Sequence, residues 1–338
     1  MKPSVKSVKN LVLLGAGRIG QVHGNNVLHS GRARIVSVVD VHAEAASALA
    51  ATLGAQVFAS ADEALAQADV HGVLVCTSTD THVDMILKCL ARKLPVFCEK
   101  PVDLDLAKVQ RCLQAVKEAG VPLLMGFNRR FDPTFKALSD RLQKGEIGAL
   151  ESVKITSRDP APPSPAYVKG SGGLFKDMMI HDLDMARHLL PEEPVAVFAT
   201  GSVLVDAAIG QAGDIDTAMV ILRTQSGLLA HIDNSRRASY GYDQRIEVFG
   251  AKGALFANNP TPTAVTSLVE QGAGADKPFH FFLQRYAAAY QAELAHFLEV
   301  IDGTAKPLVD GTDGKKALQL AEACQESMRS GRLVTVAL

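Results

Sequence analysis

The chain has 338 residues, 47% hydrophobic and 21% charged, and its 35 basic and 36 acidic residues leave a net charge of −1. This length suits two globular domains of ordinary composition. The balanced charge, the lack of a Lys/Arg-rich run and the absence of Trp argue against nucleic-acid binding. No apolar stretch is long enough for a membrane span, and five cysteines without a C-x-x-C pair favour reduced thiols in the cytoplasm.

The N-terminal part alternates short apolar runs with amphipathic helical patterns. The predicted strands are 10–14, 33–40, 72–76, 95–99 and 122–125, and the predicted helices are 19–29, 43–53, 61–67, 82–91 and 106–119. Continuous apolar strands separated by helices predict a parallel sheet that is covered on both faces. We therefore expect a doubly wound Rossmann domain over residues 1–126.

After residue 126 the pattern changes to strands with alternating polar and apolar residues, which is typical of half-exposed antiparallel sheets. The predicted strands here are 150–157, 195–205, 216–224, 228–235, 244–250 and 253–257, and the predicted helices are 133–143, 174–190, 283–301 and 315–330. A Pro/Gly-rich loop is expected over 159–173. Residues 127–338 are therefore predicted to form an α+β domain with a large, mostly antiparallel open sheet.

A glycine turn, Gly15-Ala-Gly17-Arg-Ile-Gly20, follows the first strand and opens the first helix. In this arrangement the first glycine permits a tight turn, the second lets the backbone approach a pyrophosphate, and the third allows close helix packing. Asp40 ends the next strand, where a carboxylate accepts hydrogen bonds from ribose hydroxyls and repels a 2′-phosphate. The pattern favours NAD over NADP. The alternative is a glycine-rich turn beside a solvated aspartate, and His23 and Asp62 are expected in capping or surface positions.

Lys100 lies in the sequence Glu99-Lys100-Pro101, directly after the predicted strand 95–99. The carboxyl ends of strands border the ligand crevice in open α/β sheets. A lysine in that place can donate a hydrogen bond to a substrate hydroxyl and stabilise a developing alkoxide. The alternative is an ordinary solvated lysine.

Asp177 and His181 are four residues apart in the predicted helix 174–190 and should project from one face of it. A histidine can act as a general base near neutral pH, and a neighbouring carboxylate can orient it. One alternative is an Asp–His pair on a solvated helix face. Another is a metal site, since Asp184 and His188 continue the same stripe.

These motifs, in this order, resemble the glucose–fructose oxidoreductase / inositol dehydrogenase family. Further matching stretches are 127–132, 157–163, 172–184 and 240–250. The resemblance implies an N-terminal domain that binds the dinucleotide. It also implies a C-terminal domain that supplies substrate contacts and, through its open sheet, the interface of a homo-tetramer.

The resemblance also implies roles for single residues. The expected catalytic group is Lys100, Asp177 and His181, with no metal. The expected contacts to NAD are Gly15, Gly17, Arg18, Ile19, Gly20, Asp40, Thr77, Glu99 and Lys100. The polyol pocket is expected to involve Asn128, Arg129, Asp159 and Tyr242 together with the catalytic group, and an aromatic hydroxyl from the segment 279–286.

The implied reaction is hydride transfer from a ring carbinol of myo-inositol, or a closely related polyol, to NAD. Two alternatives stay open. One is oxidation of an aldose or of scyllo-inositol by the same chemistry, and the other is a non-catalytic NAD-binding sensor.

Overall fold

The computed structural model describes residues 8–338, which form two compact units. The first comprises residues 8–131 and Ala289–Lys315, and the second comprises Asp132–Ala288 and Lys316–Leu338. The first change of unit lies near the predicted boundary at residue 126. Because the chain later returns to the first unit, a single cut does not describe this division, and the boundary at 126 stays a prediction.

The first unit is built on a six-stranded parallel sheet with the order β3-β2-β1-β4-β5-β6. Its strands are β1 (Lys9–Leu14), β2 (Ala33–Val39), β3 (Gln56–Val57), β4 (Gly72–Val75), β5 (Val96–Glu99) and β6 (Leu123–Gly126). Its helices are α1 (Arg18–Ser30), α2 (Ala43–Leu53), α3 (Ala61–Leu65), α4 (His82–Ala91) and α5 (Leu106–Ala119). All residues of β4, β5 and β6 are buried, as expected for strands with both faces covered. The predicted Rossmann fold is confirmed.

The second unit contains a seven-stranded sheet with the order β12-β11-β7-β10-β9-β8-β15. Its elements up to residue 285 are α6 (Pro133–Gln143), β7 (Leu150–Arg158), α7 (Pro165–Ser171), α8 (Gly173–Asp177), α9 (Ile180–Leu189), β8 (Pro194–Ser202), α10 (Ala207–Gln211), β9 (Thr217–Thr224), β10 (Leu229–Ser235), β11 (Asp243–Gly250), β12 (Gly253–Ala257), β13 (Thr266–Val269), β14 (Gly272–Ala275) and α11 (Phe282–Arg285). The chain then forms α12 (Ala287–Ile301), which belongs to the first unit from Ala289 onwards. It returns to the second unit within α13 (Gly311–Ser330) and ends with β15 (Val334–Thr335). β7 and β10 pair in parallel, whereas the other neighbours are antiparallel. The predicted, mostly antiparallel sheet is confirmed.

One face of this sheet is covered by α9 and α13. Asn234 of β10 donates a hydrogen bond to Asp182 of α9, and the backbone N–H of Ala199 in β8 donates to Ser327 of α13. The opposite face exposes apolar side chains, among them Met219 of β9. Within residues 8–338, no helix has both the length and the apolar character needed to cross a bilayer.

The prediction of one helix over 174–190 is wrong, because the chain forms α8 and α9 with a break between them. The backbone N–H groups of Met178 and Met179 both donate to the carbonyl of Leu174, at 3.0 and 2.9 Å, and so close the first helix. The next helix begins with bonds to the carbonyl of Met179. Both methionines are buried, so the apolar pattern runs through the break and conceals it.

Two further predictions of local structure differ from the structure. The expected loop over 159–173 contains α7, which begins at a proline and is capped by Ser164. The expected helix over 283–301 is divided into α11 and α12, since Tyr286 departs from helical geometry at the end of α11.

Candidate active site

The glycine turn has the shape that a dinucleotide requires. Gly15 has φ +99°, and a Cβ there would lie 2.4 Å from the carbonyl oxygen of Cys76. A Cβ on Gly20 would lie 2.0 Å from the carbonyl oxygen of Gly15. A Cβ on Gly17, by contrast, would meet nothing within 4 Å, and no side chain caps α1 at this residue. The turn is therefore tightly packed at Gly15 and Gly20 and open at Gly17. The open position lies at a helix N-terminus, which suits a pyrophosphate.

Asp40 follows β2 and binds the glycine turn. One of its carboxylate oxygens accepts from the backbone N–H of Ala16 at 2.6 Å, and the other accepts from His42 at 2.8 Å. The carboxylate is thus held at the carboxyl end of the strand, beside the turn. Arg18 is exposed and Ile19 is half-buried at the start of α1, so both lie at the open side of the turn.

A buried histidine that the sequence analysis did not identify joins the ends of β4 and β5. His82 Nδ1 lies 2.7 Å from the carbonyl oxygen of Pro101, and its Nε2 lies 3.1 Å from that of Thr77. The half-buried Lys100 precedes Pro101, and the peptide bond between them is cis. Two predicted site residues, Thr77 and Lys100, are therefore carried on segments that one imidazole holds together.

Glu99 is tied to the interior of the first unit. Its Oε1 lies 2.8 Å from Nε2 of His23, whose ring packs edge-on against Phe97 and Tyr290. His23 is 1% exposed, so the expectation of a capping or surface role for it is wrong. Asp62 does lie at the surface, where it pairs with Lys88. The proposed contact of Glu99 with the cofactor stays a prediction.

The turn after β6, Asn128–Phe131, carries the two polar residues expected in the polyol pocket from this unit. Asn128 is 3% exposed and Arg129 is 4% exposed. Arg130 beside them pairs with Asp313 at 3.0 Å, which fixes the turn to the returning segment of the chain. The position at the carboxyl end of a parallel strand agrees with a ligand-binding role, which stays a prediction.

In the second unit, Asp177 is the last residue of α8 and His181 lies in the first turn of α9, and both are half-buried. The Tyr167 hydroxyl donates to Asp177 Oδ1 at 2.9 Å. Burial raises the pKa of Tyr167, and the charge of Asp177 raises it further, so the phenol keeps its proton at neutral pH. Arg236 Nη2 lies 3.5 Å from Asp177 Oδ2, and Nη1 lies 3.9 Å from Asp159 Oδ2.

Asp184 and His188, which follow Asp177 and His181 at helical spacing, do not lie on a solvated helix face. Asp184 is 1% exposed and lies 3.8 Å from Arg187 Nη1, and His188 Nε2 lies 3.2 Å from the hydroxyl of Ser139. In the part of the chain that the structure describes, no three His, Cys, Asp or Glu side chains are grouped as a metal site would require.

Tyr242 is buried beside the segment 278–286. Its backbone N–H donates to the carbonyl of Phe279 at 2.9 Å, and its ring meets that of Tyr286 edge-on at 6.0 Å. Tyr286 is 2% exposed, and its hydroxyl lies 3.4 Å from Gln244 Oε1. His280 is exposed. In this unit Asp159 and Asp177 thus lie near one guanidinium, and Tyr167 donates to Asp177. The place of Tyr242 in the polyol pocket stays a prediction.

Comparison with known protein families gives two matches that together span most of the chain. Residues 9–127 match the profile described as "Oxidoreductase family, NAD-binding Rossmann fold", and residues 135–256 match "GFO/IDH/MocA C-terminal domain". An inositol 2-dehydrogenase of Rhizobium meliloti strain 1021 is 48% identical over 96% of this chain and 98% of its own length. The chain belongs to the GFO/IDH/MocA oxidoreductase family. Its cofactor is NAD.

Other members of the GFO/IDH/MocA family agree in sequence and in fold. A myo-inositol 2-dehydrogenase of Thermotoga maritima is 46% identical over 95% of this chain and 97% of the relative. The crystal structure of a myo-inositol dehydrogenase from Corynebacterium glutamicum ATCC 13032 has a TM-score of 0.94 at 44% identity, covering 98% of this chain and 100% of that one. A scyllo-inositol dehydrogenase from Lactobacillus casei, with bound NAD(H) and scyllo-inositol, has a TM-score of 0.91 at 28% identity, covering 98% and 100%.

Arg236, Tyr167 and His82 are the residues of this family member's site region that the sequence analysis missed. The burial of Arg236 could have been predicted from strand periodicity. Ile232 and Asn234 are buried on one face of β10, and a residue two positions later points to the same face. Tyr167 lies in a segment whose Pro/Gly content concealed α7. The role of His82 depends on contacts between two strand ends, which no local pattern records.

Proposed function

We propose that this oxidoreductase transfers a hydride from a ring carbinol of myo-inositol, or of a closely related polyol, to NAD and so produces the 2-keto-inositol. The observation that carries the proposal is the hydrogen bond from the hydroxyl of Tyr167 to Asp177. It holds this carboxylate in place four residues before His181. The whole-length identity of 46–48% to relatives named as inositol 2-dehydrogenases supports the substrate class.

The proposed chemistry divides among three side chains of this chain. His181 accepts the proton of the substrate hydroxyl and passes it to water. Lys100 orients the same oxygen and stabilises its developing negative charge, and Asp177 orients the imidazole and stabilises its protonated form. The glycine turn Gly15–Gly20 would hold NAD, which would supply the hydride acceptor for the carbinol carbon. The carbinol thus loses one proton and one hydride, and becomes a ketone.

Three further residues, which the family resemblance implies for the polyol pocket, are proposed to contact the polyol. Asp159 would accept hydrogen bonds from ring hydroxyls that do not react, and the amide of Asn128 could accept or donate. Tyr242 would supply an aromatic wall of the pocket. Hydrogen-bonding sites of this kind reject analogues that lack a hydroxyl, because buried polar groups are then left unpaired.

A panel of polyols tests this proposal. Purified protein is mixed with myo-inositol, scyllo-inositol, other inositol isomers or an aldose, each with NAD or NADP, and the absorbance of the reduced cofactor is followed. We expect the largest kcat/KM for myo-inositol with NAD. A larger kcat/KM for scyllo-inositol or an aldose would assign the enzyme to another substrate of the same chemistry. Tight NADH binding without turnover of any polyol would indicate a sensor.

We further propose that the protein is a homo-tetramer assembled through the open face of the seven-stranded sheet. Large apolar side chains on that face are between 37% and 61% exposed: Phe198, Met219, Ile221, Phe249 and Phe256. Exposed large apolar side chains on an uncovered sheet face are typical of interaction sites. Light scattering should give the mass of four chains, and Met219→Glu should give smaller species. A monomer mass for the parent protein would contradict the proposal.

We propose a cytoplasmic location, which agrees with the free thiols of the protein. All five cysteines are buried and unbridged, as expected for a protein that folds in a reducing compartment.

A further inference from the structure

Arg236 is the largest fully buried side chain of the described residues, although it is charged. It lies between β10 and β11 and is 2% exposed, whereas its neighbour Arg237 is exposed. A buried guanidinium is costly unless carboxylates surround it, because the desolvation of a charge amounts to several kcal/mol. The contacts of Arg236 therefore show what the burial achieves.

Three carboxylates from three different segments surround this guanidinium. Nη2 lies 3.5 Å from Asp177 Oδ2 and 3.9 Å from Asp214 Oδ2, and Nη1 lies 3.9 Å from Asp159 Oδ2. Asp177 and Asp159 are the proposed catalytic and substrate-binding carboxylates of this unit. The guanidinium is planar and rigid, so one side chain can fix the spacing of several acids at once.

The third carboxylate ties the same cluster to the start of α8. Asp214 Oδ1 accepts from the backbone N–H of Leu174 at 3.1 Å. Gly173 precedes it with φ +82°, and a Cβ there would lie 2.7 Å from that oxygen. Asp214 therefore holds the beginning of the helix that ends at Asp177, and Arg236 lies near the carboxylate at its end.

Most of these contacts are longer than hydrogen bonds. Among the described residues, Nε and Nη2 of Arg236 have no hydrogen-bond partner. The guanidinium thus acts on the carboxylates mainly through its charge, which offsets the repulsion among three acids in a poorly solvated place. Tyr167 adds a neutral donor to Oδ1 of Asp177, the carboxylate oxygen other than the one nearest Arg236.

We propose that Arg236 is a positioning residue of this dehydrogenase, whose buried guanidinium sets the spacing of Asp177 and Asp159 and balances their charge, so that both carboxylates meet the polyol. This inference rests on the proposed function. It predicts that loss of the guanidinium harms polyol binding and turnover together, while the dinucleotide turn in the other unit keeps its affinity for the cofactor.

The test compares Arg236→Gln with Arg237→Gln, which removes the neighbouring exposed arginine. We expect Arg236→Gln to lower kcat/KM for myo-inositol by about 100-fold, the usual effect of displacing a reacting group by about 1 Å. Its KM for the polyol should rise and its KM for NAD should stay near that of the parent enzyme. Arg237→Gln should resemble the parent in every parameter.

Two further variants separate positioning from a merely structural role. Arg236→Lys keeps the charge without the planar fork and should recover part of kcat/KM. If Arg236→Gln does not fold, it is combined with Asp214→Asn, which removes one negative charge together with the positive one. The amide oxygen at position 214 can still accept the hydrogen bond from the backbone N–H of Leu174. In this folded double variant the polyol KM should remain high. A merely structural role would reduce the active fraction, and with it kcat, at unchanged polyol KM.

The outcomes for the inference and for the proposed function are distinct. A parent enzyme that turns over no polyol overturns both. A parent enzyme that is active, with Arg236→Gln equal to it in kcat and in polyol KM, overturns only the role of Arg236. A folded Arg236→Gln whose kcat alone falls, with no rise in polyol KM, also overturns it.

Discussion

Glu293 is a buried acid that should make the protein less stable as pH rises. It lies in α12 with 0% exposure, and neither carboxylate oxygen has a hydrogen-bond partner among the described residues. Burial raises its pKa well above the usual value, and the nearby charge of Glu99 raises it further. The folded protein therefore keeps the Glu293 proton at a pH where the unfolded chain, with a glutamate pKa of about 4.3, has released it.

The sign and size of the effect follow from proton linkage. Below the unfolded pKa both states hold the proton, and Glu293 causes no penalty. Above it, the free energy of unfolding falls by about 1.4 kcal/mol for each pH unit until the pH reaches the folded pKa. Glu293→Gln replaces the acid by a neutral group of the same shape, so its stability relative to the parent protein should increase by about that amount between about pH 5 and 6.

Urea unfolding followed by circular dichroism at about pH 5, 6 and 7 measures this difference. Glu44→Gln is the control, because this glutamate is exposed and lies in α2 of the same unit. The control should leave the pH dependence unchanged. If the curves for Glu293→Gln and the parent protein run parallel over this range, Glu293 is ionised in the folded state and the reasoning is refuted.

Three further predictions concern the glycine turn, the ribose contact of Asp40 and the five cysteines. Gly17→Ala should fold like the parent, because its Cβ meets nothing within 4 Å, but it should bind NADH more weakly; Gly20→Ala should lose about 1–3 kcal/mol of stability, because its Cβ would overlap the Gly15 carbonyl. Thermal unfolding with and without NADH distinguishes the two variants, and equal melting temperatures and equal NADH effects would contradict the prediction. Asp40→Ser removes a charged hydrogen-bond acceptor and should reduce the preference for NAD over NADP by about tenfold or more in kcat/KM. An unchanged ratio would contradict the ribose contact. Burial raises the pKa of Cys89 and Cys112 to about 12 and also raises that of the other three cysteines, so Ellman's reagent should react slowly with native protein at about pH 8 and rapidly in urea. A fast-reacting thiol in the native protein would contradict the burial.

The Rossmann sheet could be predicted from the sequence because its signals are local. Its strands are continuous apolar runs, and Gly15, Gly17 and Gly20 have separate steric tasks within a single turn. Five of its six strands lie where the sequence predicts them, and the sixth, the two-residue β3, is too short to leave a pattern.

The parts that were missed depend on contacts between distant segments. Hydrophobic periodicity cannot separate α8 from α9, because Met178 and Met179 are buried at the break itself. Nor does it show that residues 289–315 return to the first unit. Arg236 is one of two adjacent arginines, and only the folded positions of Asp159, Asp177 and Asp214 distinguish it from Arg237.

The central claim is that His181 takes the proton of the oxidised carbinol. Replacing it by alanine and measuring kcat with myo-inositol and NAD, together with NADH binding, tests that claim most directly, with His188→Gln as a control in the same helix. We predict that kcat of His181→Ala falls by about 10²–10⁴-fold while NADH affinity and the kcat of the control stay near the parent values. Turnover of His181→Ala equal to that of the parent enzyme would contradict the account.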